Sequence, residues 1–187
     1  GFKVNITNTF AMFGDLLHHS YIFESIGNAV MISAVIIGVL LILFGKFNSN
    51  WKLYAIISLF LVMVPGFSYV YSIAYMLIPL VAFLNEKKTR KSDYIYLLLF
   101  ILQFGLFIAK KDELFSQFEG SELALNITTL IESVVLLLMM AMLYLDGIIT
   151  TFKSYKGKKI LHIPTKAVAS VAMAGIVFVC CVFSVYY

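Results

Sequence analysis

The chain has 187 residues, of which 61% are hydrophobic and only 13% are charged, and its formal net charge is +4. An average soluble domain has about 25% charged residues, so this composition is typical of a membrane protein instead. The basic residues lie in loops with few aromatic residues and without a nucleic-acid-binding motif, so we expect no nucleic-acid partner. Phosphate-binding loops, metal-ligand spacings and nucleophile elbows are also absent from the sequence, and we expect no cofactor or metal.

The N-terminal segment, residues 1–21, places Phe10, Phe13, Leu16 and Leu17 at helical spacing. This pattern predicts an amphipathic helix that lies on the outer membrane surface, or a loop helix that packs against the bundle. Because the chain begins at Gly1 without a signal peptide and ends abruptly at Tyr186-Tyr187, we expect it to be a fragment of a longer protein.

Apolar stretches near membrane-spanning length then follow one another, and they predict an all-α, polytopic bundle in a single transmembrane domain. Residues 53–84 as one helix would reach about 48 Å, whereas the hydrocarbon core of a bilayer is about 30 Å thick. Since Pro65-Gly66 interrupts this stretch, two helices joined by a tight turn are preferred, and one kinked helix is the alternative. The preferred reading has six spans and the alternative has five. The six predicted spans cover residues 26–44, 51–64, 69–84, 94–109, 123–145 and 167–187.

The basic residues predict the orientation of a multi-pass protein in the cell membrane. With six spans, one side carries 11 of the 14 basic residues and the other side carries three. Because cytoplasmic loops are rich in Lys and Arg, the first side is predicted to be cytoplasmic. Both termini, the 65–68 turn and the 110–122 loop would then face outward. The five-span alternative divides the basic residues 10 against 4, so charge alone does not choose between the two.

Few ionisable or amide side chains lie within the predicted spans. Glu132 lies deep in the fifth span and is a candidate functional residue by default, although a structural role in helix packing is equally open. Gln103 is predicted to bridge helices and Asp146 to be interfacial. The short second span requires either that Lys52 snorkels toward water or that the bilayer thins locally. Adjacent Cys180 and Cys181 point about 100° apart in a helix and suit neither a shared disulfide nor a metal site.

The segment after the helix break carries hydroxyl groups on one face, because Ser68, Tyr71, Ser72 and Tyr75 recur at helical spacing. This face either bonds to neighbouring helices or lines a cavity. The whole run, residues 65–80, reads PGFSYVYSIAYMLIPL and is followed by Asn85. It resembles the late membrane helices of bacterial C-type glycosyltransferases, the polytopic enzymes that use polyprenyl-phosphate sugars.

This resemblance implies a membrane glycosyltransferase that moves a sugar from a polyprenyl-phosphate donor to a glycan or lipid acceptor outside the cell membrane. In that family the catalytic carboxylate lies in an early outward loop, which this chain lacks. The chain would therefore be a C-terminal part, its catalytic residue unknown. Ser68, Tyr69, His18 and His19 would border the donor or acceptor site. The alternatives are a small transporter or substrate-binding subunit, with Glu132 in its pathway, and a scaffold subunit without chemistry.

Overall fold

The computed structural model describes residues 3–66, 70–86, 93–109 and 122–155. This part of the chain is helical without strands, which confirms the predicted all-α class. Within it, α2 and residues Thr129–Ser154 of α6 are long and apolar enough to cross a membrane. The predicted span 167–187 lies outside the described residues. The elements are α1 (Ile6–Leu16), α2 (Ser20–Phe44), α3 (Asn50–Met63), a 3₁₀ helix (Val70–Met76), α4 (Leu77–Leu84), α5 (Asp93–Ala109) and α6 (Glu122–Tyr155).

The N-terminal segment forms a helical hairpin with α2. Asn5 caps α1, because its side-chain oxygen accepts a hydrogen bond of 2.7 Å from the backbone N–H of Asn8. The chain turns at His18, which has a positive φ of 56°. Gly27 of α2 lies against Phe10, and a Cβ at Gly27 would approach the Phe10 Cβ to 2.8 Å.

The four residues that predicted this helix do not form its buried face. Phe10 and Phe13 are half-buried and Leu16 and Leu17 are exposed. The buried side of α1 instead consists of Ile6, Thr9 and Gly14, and α1 packs against α2 and α6. The helix is therefore part of the bundle, and its position relative to a membrane stays a prediction.

Helices α2 and α6 run parallel and in close contact. The Tyr144 hydroxyl donates a buried hydrogen bond of 2.9 Å to the backbone carbonyl of Ala34. Near the ends of the two helices, the backbone N–H of Lys46 donates to Thr151 Oγ1 at 2.9 Å. Gly38 permits this approach, because a Cβ there would lie 2.5 Å from the Tyr144 hydroxyl. In these contacts, α6 residues lie beside residues of α2 and its C-terminal end that are numbered 105 to 110 lower.

The chain reverses direction between α3 and α4. Helix α3 ends at Met63, directly before Pro65-Gly66, as the sequence predicts for a helix that meets proline. The rings of Trp51, in α3, and Phe83, in α4, are 4.9 Å apart. In one continuous helix these two residues would be about 48 Å apart. The alternative of one kinked helix over 51–84 is therefore wrong.

Helix α3 occupies the centre of the bundle. Eight of its residues are buried, and it contacts α2, the 3₁₀ helix, α4 and α6. Trp51 joins it to α5 as well, through edge contacts at 5.1 Å with Tyr96 and 6.3 Å with Phe100. Burial of these rings supplies apolar stabilisation, and the edge-to-face geometry adds roughly 0.5–1.5 kcal/mol per pair. The aromatic cluster thereby fixes the end of the bundle where α3 and α5 begin.

Candidate functional site

Three charged side chains meet inside the bundle, one from each of α3, α5 and α6. We call Lys52, Asp93 and Asp146 the charge cluster. The Lys52 ammonium lies 2.8 Å from Asp146 Oδ2 and 3.7 Å from Asp93 Oδ1. The side chains of Lys52 and Asp93 are 1% and 4% exposed, whereas that of Asp146 is 31% exposed. The cluster is therefore buried on two sides and reaches solvent through Asp146.

The local structure explains why two carboxylates lie beside the Lys52 ammonium. Lys52 lies in the first turn of α3, where the helix dipole disfavours a cation. Asp93 lies in the first turn of α5, where the same dipole favours an anion. The Lys52 ammonium also lies 5.4 Å from the Trp51 ring and 5.3 Å from the Tyr96 ring, within the range of cation–π attraction. With all three groups ionised, the cluster carries a net charge of −1.

Sequence reasoning misjudged this cluster. Snorkelling of Lys52 to water, one of the two possibilities open for the short second span, is wrong, because two carboxylates and two aromatic rings solvate the ammonium inside the bundle. Asp146 was predicted to be interfacial, and its partial exposure agrees with that, but its ion pair was missed. Asp93 was not singled out at all. All three residues lie at the ends of apolar stretches on the side predicted to be cytoplasmic, and that shared depth is the signal that could have found them.

A second set of buried polar residues lies further along α5 and α6. We call Gln103, Thr129, Glu132 and Ser133 the polar layer, and each is at most 1% exposed. Within the described part of the chain, both amide atoms of Gln103 and the hydroxyl of Ser133 have no hydrogen-bond partner. The predicted bridge from Gln103 to another helix is therefore not formed among these residues. Unpaired buried polar atoms cost roughly 1–3 kcal/mol each, so the polar layer is a costly feature of this core.

Helix α1 packs against α2 and also against α6, the helix that carries Thr129, Glu132 and Ser133 of the polar layer. Phe10 of α1 contacts α2 at Gly27. The side-chain amide of Asn5 lies 3.5 Å from the carbonyl oxygen of Gly66, so the helix break also adjoins α1. Glu132 is 14 residues from Asp146 along α6, which is about 21 Å. The polar layer and the helix break thus lie toward the opposite end of the bundle from the charge cluster.

The predicted site residues lie in different surroundings. Glu132 is fully buried in the polar layer, whereas His18 and His19 are exposed in the turn between α1 and α2. The length of α1, about 16 Å, separates the histidines from the contact between Asn5 and Gly66. Ser68 and Tyr69 lie outside the described residues. The structure therefore does not bring the histidines together with Glu132, and the roles of all five residues stay predictions.

Among residues 3–66, 70–86, 93–109 and 122–155, no group of three or more His, Cys, Asp or Glu residues could hold a metal ion. The described polar groups instead offer hydrogen-bond donors, acceptors and one ion-pair network. No family model, no curated protein and no solved structure matches this chain.

Proposed function

We propose that this chain is part of a polytopic protein of the cell membrane. The supporting observation is where the large apolar side chains lie. Only 22% of the most apolar 18-residue stretch of α2 is buried, although a soluble core helix of that composition would be mostly buried. Exposed Ile, Leu, Tyr and Phe side chains also cover α3, α4, α5 and α6. Soluble proteins rarely expose continuous apolar surfaces of this extent, whereas lipid-facing helices do.

The positions of the charges support one orientation in that membrane. Lys46, Lys52 and Lys153 lie at one end of the bundle, because Lys46 contacts Thr151 and Lys52 contacts Asp146. By the positive-inside rule this end faces the cytoplasm. The polar layer, the helix break at Gly66 and the N-terminal helix α1 then lie in the outward half.

Within that frame we propose that the protein is a membrane glycosyltransferase, of which this chain forms one part. It would transfer a sugar from a polyprenyl-phosphate donor to a glycan or lipid acceptor outside the membrane, with the catalytic carboxylate supplied elsewhere. The single observation that carries this proposal is the helix break at Pro65-Gly66, which adjoins α1 and lies toward the same end of the bundle as the polar layer. Broken helices at membrane depth are tolerated where they line a cavity or are enclosed by protein. A lipid-linked donor needs such a place, with its tail in lipid and its sugar phosphate near water.

The test uses purified full-length protein and a radiolabelled polyprenyl-phosphate sugar. We expect binding, and we expect Tyr69→Ala to weaken binding or turnover while thermal stability stays near that of the wild type. Tyr94→Ala is the matched control, since Tyr94 is exposed near the opposite end of the bundle. Absence of donor binding, together with unchanged cell-envelope glycans after deletion of the protein, would remove the transferase proposal.

A transporter or substrate-binding subunit is the second candidate, and the burial of Glu132 favours it. An intramembrane carboxylate is costly and often marks an ion or proton pathway. In this case Glu132→Gln abolishes uptake of a transported solute into proteoliposomes and has no effect on donor binding. A scaffold subunit would show neither donor binding nor solute uptake in the wild type, so Tyr69→Ala and Glu132→Gln would change neither measurement.

A further inference from the structure

Contacts with α2 set the depth of helix α1 in the proposed membrane. Helix α2 ends at Phe44, at the cytoplasmic end, and Gly27 precedes Phe44 by 17 residues, about 26 Å along the helix. Since the hydrocarbon core is about 30 Å thick, Gly27 lies about 4 Å below its outer boundary. A Cβ at Gly27 would lie 2.8 Å from the Phe10 Cβ and 3.4 Å from the Thr7 Cα. The first two turns of α1 therefore lie within the outer leaflet.

Helix α3 gives a similar depth for the helix break. It begins at Asn50, at the cytoplasmic end, and its 14 residues rise about 21 Å. Gly66 follows three residues after the end of α3, so the break also lies below the outer boundary of the hydrocarbon core. The contact of 3.5 Å between the Asn5 amide and the Gly66 carbonyl oxygen agrees with that depth, because Asn5 lies just below Thr7.

The side of α1 that faces away from the bundle is polar. Asn8, Met12 and Asp15 recur at spacings of four and three and lie opposite the buried side of the helix. The Asn8 amide donates to the Lys3 carbonyl oxygen at 2.8 Å, and Lys3 is exposed beside it. The exposed Ile32 of α2, at a comparable depth, is apolar. Charged and polar side chains at membrane depth face protein or water, so we expect water along this side of α1.

The helix break is open on the same side of the molecule. Gly66 is exposed, and a Cβ built on it would meet no atom of the described chain within 4 Å. Non-helical backbone at membrane depth is tolerated where protein encloses it or where it lines a water-filled cavity. Because Gly66 is exposed, the second case applies. We call the space bordered by Lys3, Asn5, Asn8 and Gly66 the outer recess.

The outer recess carries a positive charge from Lys3. Among the described Lys and Arg residues, Lys3 alone lies near the break, because the other three lie at the cytoplasmic end. Lys3 forms no ion pair with a described residue. The carboxylate of α1, Asp15, lies ten residues beyond Asn5, which is about 15 Å along the helix. The charge of the recess thus suits an anion, and phosphate is the anion that membrane lipids carry in their headgroups.

We propose that the outer recess binds the phosphate group of a lipid, with the Lys3 ammonium as its counter-ion. The recess enters the outer leaflet from the water side, so a headgroup phosphate can reach it while the acyl or prenyl chain stays in the lipid. This proposal rests on the proposed membrane location and gives the proposed transferase a contact for the phosphate of its donor. It requires no sugar transfer, so it can fail or hold separately from that activity.

The reactivity of a cysteine in the outer recess measures both its hydration and its charge. Full-length protein without its native cysteines carries Asn8→Cys, or Met12→Cys as a second reporter, in nanodiscs of net-neutral lipid at low salt. We expect the thiol to react faster with the anionic sulfonatoethyl methanethiosulfonate than with the cationic trimethylammonioethyl reagent. Lys3→Gln should lower this ratio of rates about fivefold, the effect in water of one charge about 8 Å away. Lys46→Gln, at the cytoplasmic end, should leave the ratio unchanged.

Protection of the same cysteine identifies the lipid. Polyprenyl phosphate without a sugar should slow the labelling of Asn8→Cys severalfold, and Lys3→Gln should remove most of that protection. Phosphatidylglycerol is the comparison. Equal protection by phosphatidylglycerol would support the phosphate site and assign it to an ordinary anionic phospholipid, whereas protection by polyprenyl phosphate alone would assign it to the lipid-linked donor.

Three results would overturn the proposal: reporters at both positions that do not react, labelling that neither lipid slows, and protection that survives Lys3→Gln. Ile36→Cys, on the exposed side of α2, separates these failures from a failure of the membrane location. We expect no reaction of Ile36→Cys with either charged reagent, because lipid covers it. If it reacts as fast as Asn8→Cys, the membrane location itself is contradicted.

Discussion

Replacement of Lys52 by methionine tests the charge cluster at its centre. The side chains have similar length, so the change removes the positive charge with little change in volume. The ammonium is 1% exposed and lies 2.8 Å from Asp146 and 3.7 Å from Asp93. Its removal leaves two carboxylates and no cation in the cluster. Loss of one partner from a buried ion pair costs about 3–5 kcal/mol, and we expect a destabilisation of that size.

The aspartate variants distinguish charge balance from simple loss of contacts. Asp146→Asn or Asp93→Asn leaves one cation and one anion, so each should cost less than Lys52→Met. In the triple variant Lys52→Met, Asp93→Asn, Asp146→Asn no charge remains. Most of the lost stability should therefore return, because the penalty comes from the unpaired carboxylates.

Fluorescence of the purified protein in detergent provides the assay. Trp51 is the single tryptophan of the chain, is buried, and lies 5.4 Å from the Lys52 ammonium, so its emission follows unfolding at this cluster. Lys153→Met is the control, since Lys153 is exposed in the last turn of α6 and a surface change costs within about 0.5 kcal/mol. A Lys52→Met protein as stable as this control, or a triple variant less stable than Lys52→Met, would refute the reasoning.

Three further predictions concern topology, packing and the polar layer. In intact cells that express the protein without its native cysteines, His19→Cys should react with an impermeant thiol reagent and Asn48→Cys should not. The reverse pattern of labelling would invert the proposed orientation. Gly38→Ala should lower the melting temperature, at a cost of about 1–3 kcal/mol, because its Cβ would lie 2.5 Å from the Tyr144 hydroxyl. Adding Tyr144→Phe should offset part of that loss, because it removes the hydroxyl that a Cβ at Gly38 would meet. If the two substitutions lower the melting temperature additively, the clash with the hydroxyl is contradicted. Glu132→Leu should raise thermal stability if Glu132 only packs, whereas a functional Glu132 predicts lost activity in Glu132→Gln with stability retained.

The long apolar stretches of the chain predicted most of the helices in its described part. Pro65 marks a helix end correctly because it acts on the backbone locally, whatever the surrounding fold. The reversal after Met63 was likewise foreseeable, since a single helix over 53–84 would be far longer than a bilayer requires. These features depend on short-range physics that a sequence displays directly.

The charge cluster and the buried side of α1 could not be predicted from short-range physics, because both depend on tertiary packing. Lys52, Asp93 and Asp146 are 41 to 94 residues apart in the chain, and only tertiary packing reveals that they meet. At the C-terminal end of α1 the large residues Leu16 and Leu17 are exposed, while Thr9 and Gly14 of the helix are buried. Close helix packing selects small residues at the contact, so a search for large apolar residues pointed to the wrong side of the helix.

A nitroxide at Leu138 tests the membrane location of the bundle most directly. Leu138 is 53% exposed and lies near the middle of the apolar stretch Thr129–Ser154 of α6, eight residues from Asp146. In proteoliposomes, we predict frequent collisions of this label with oxygen, which concentrates in lipid, and few with a water-soluble nickel chelate. A label at Asn48 should show the opposite preference. Efficient relaxation of the Leu138 label by the nickel chelate would place this face in water and contradict the membrane proposal.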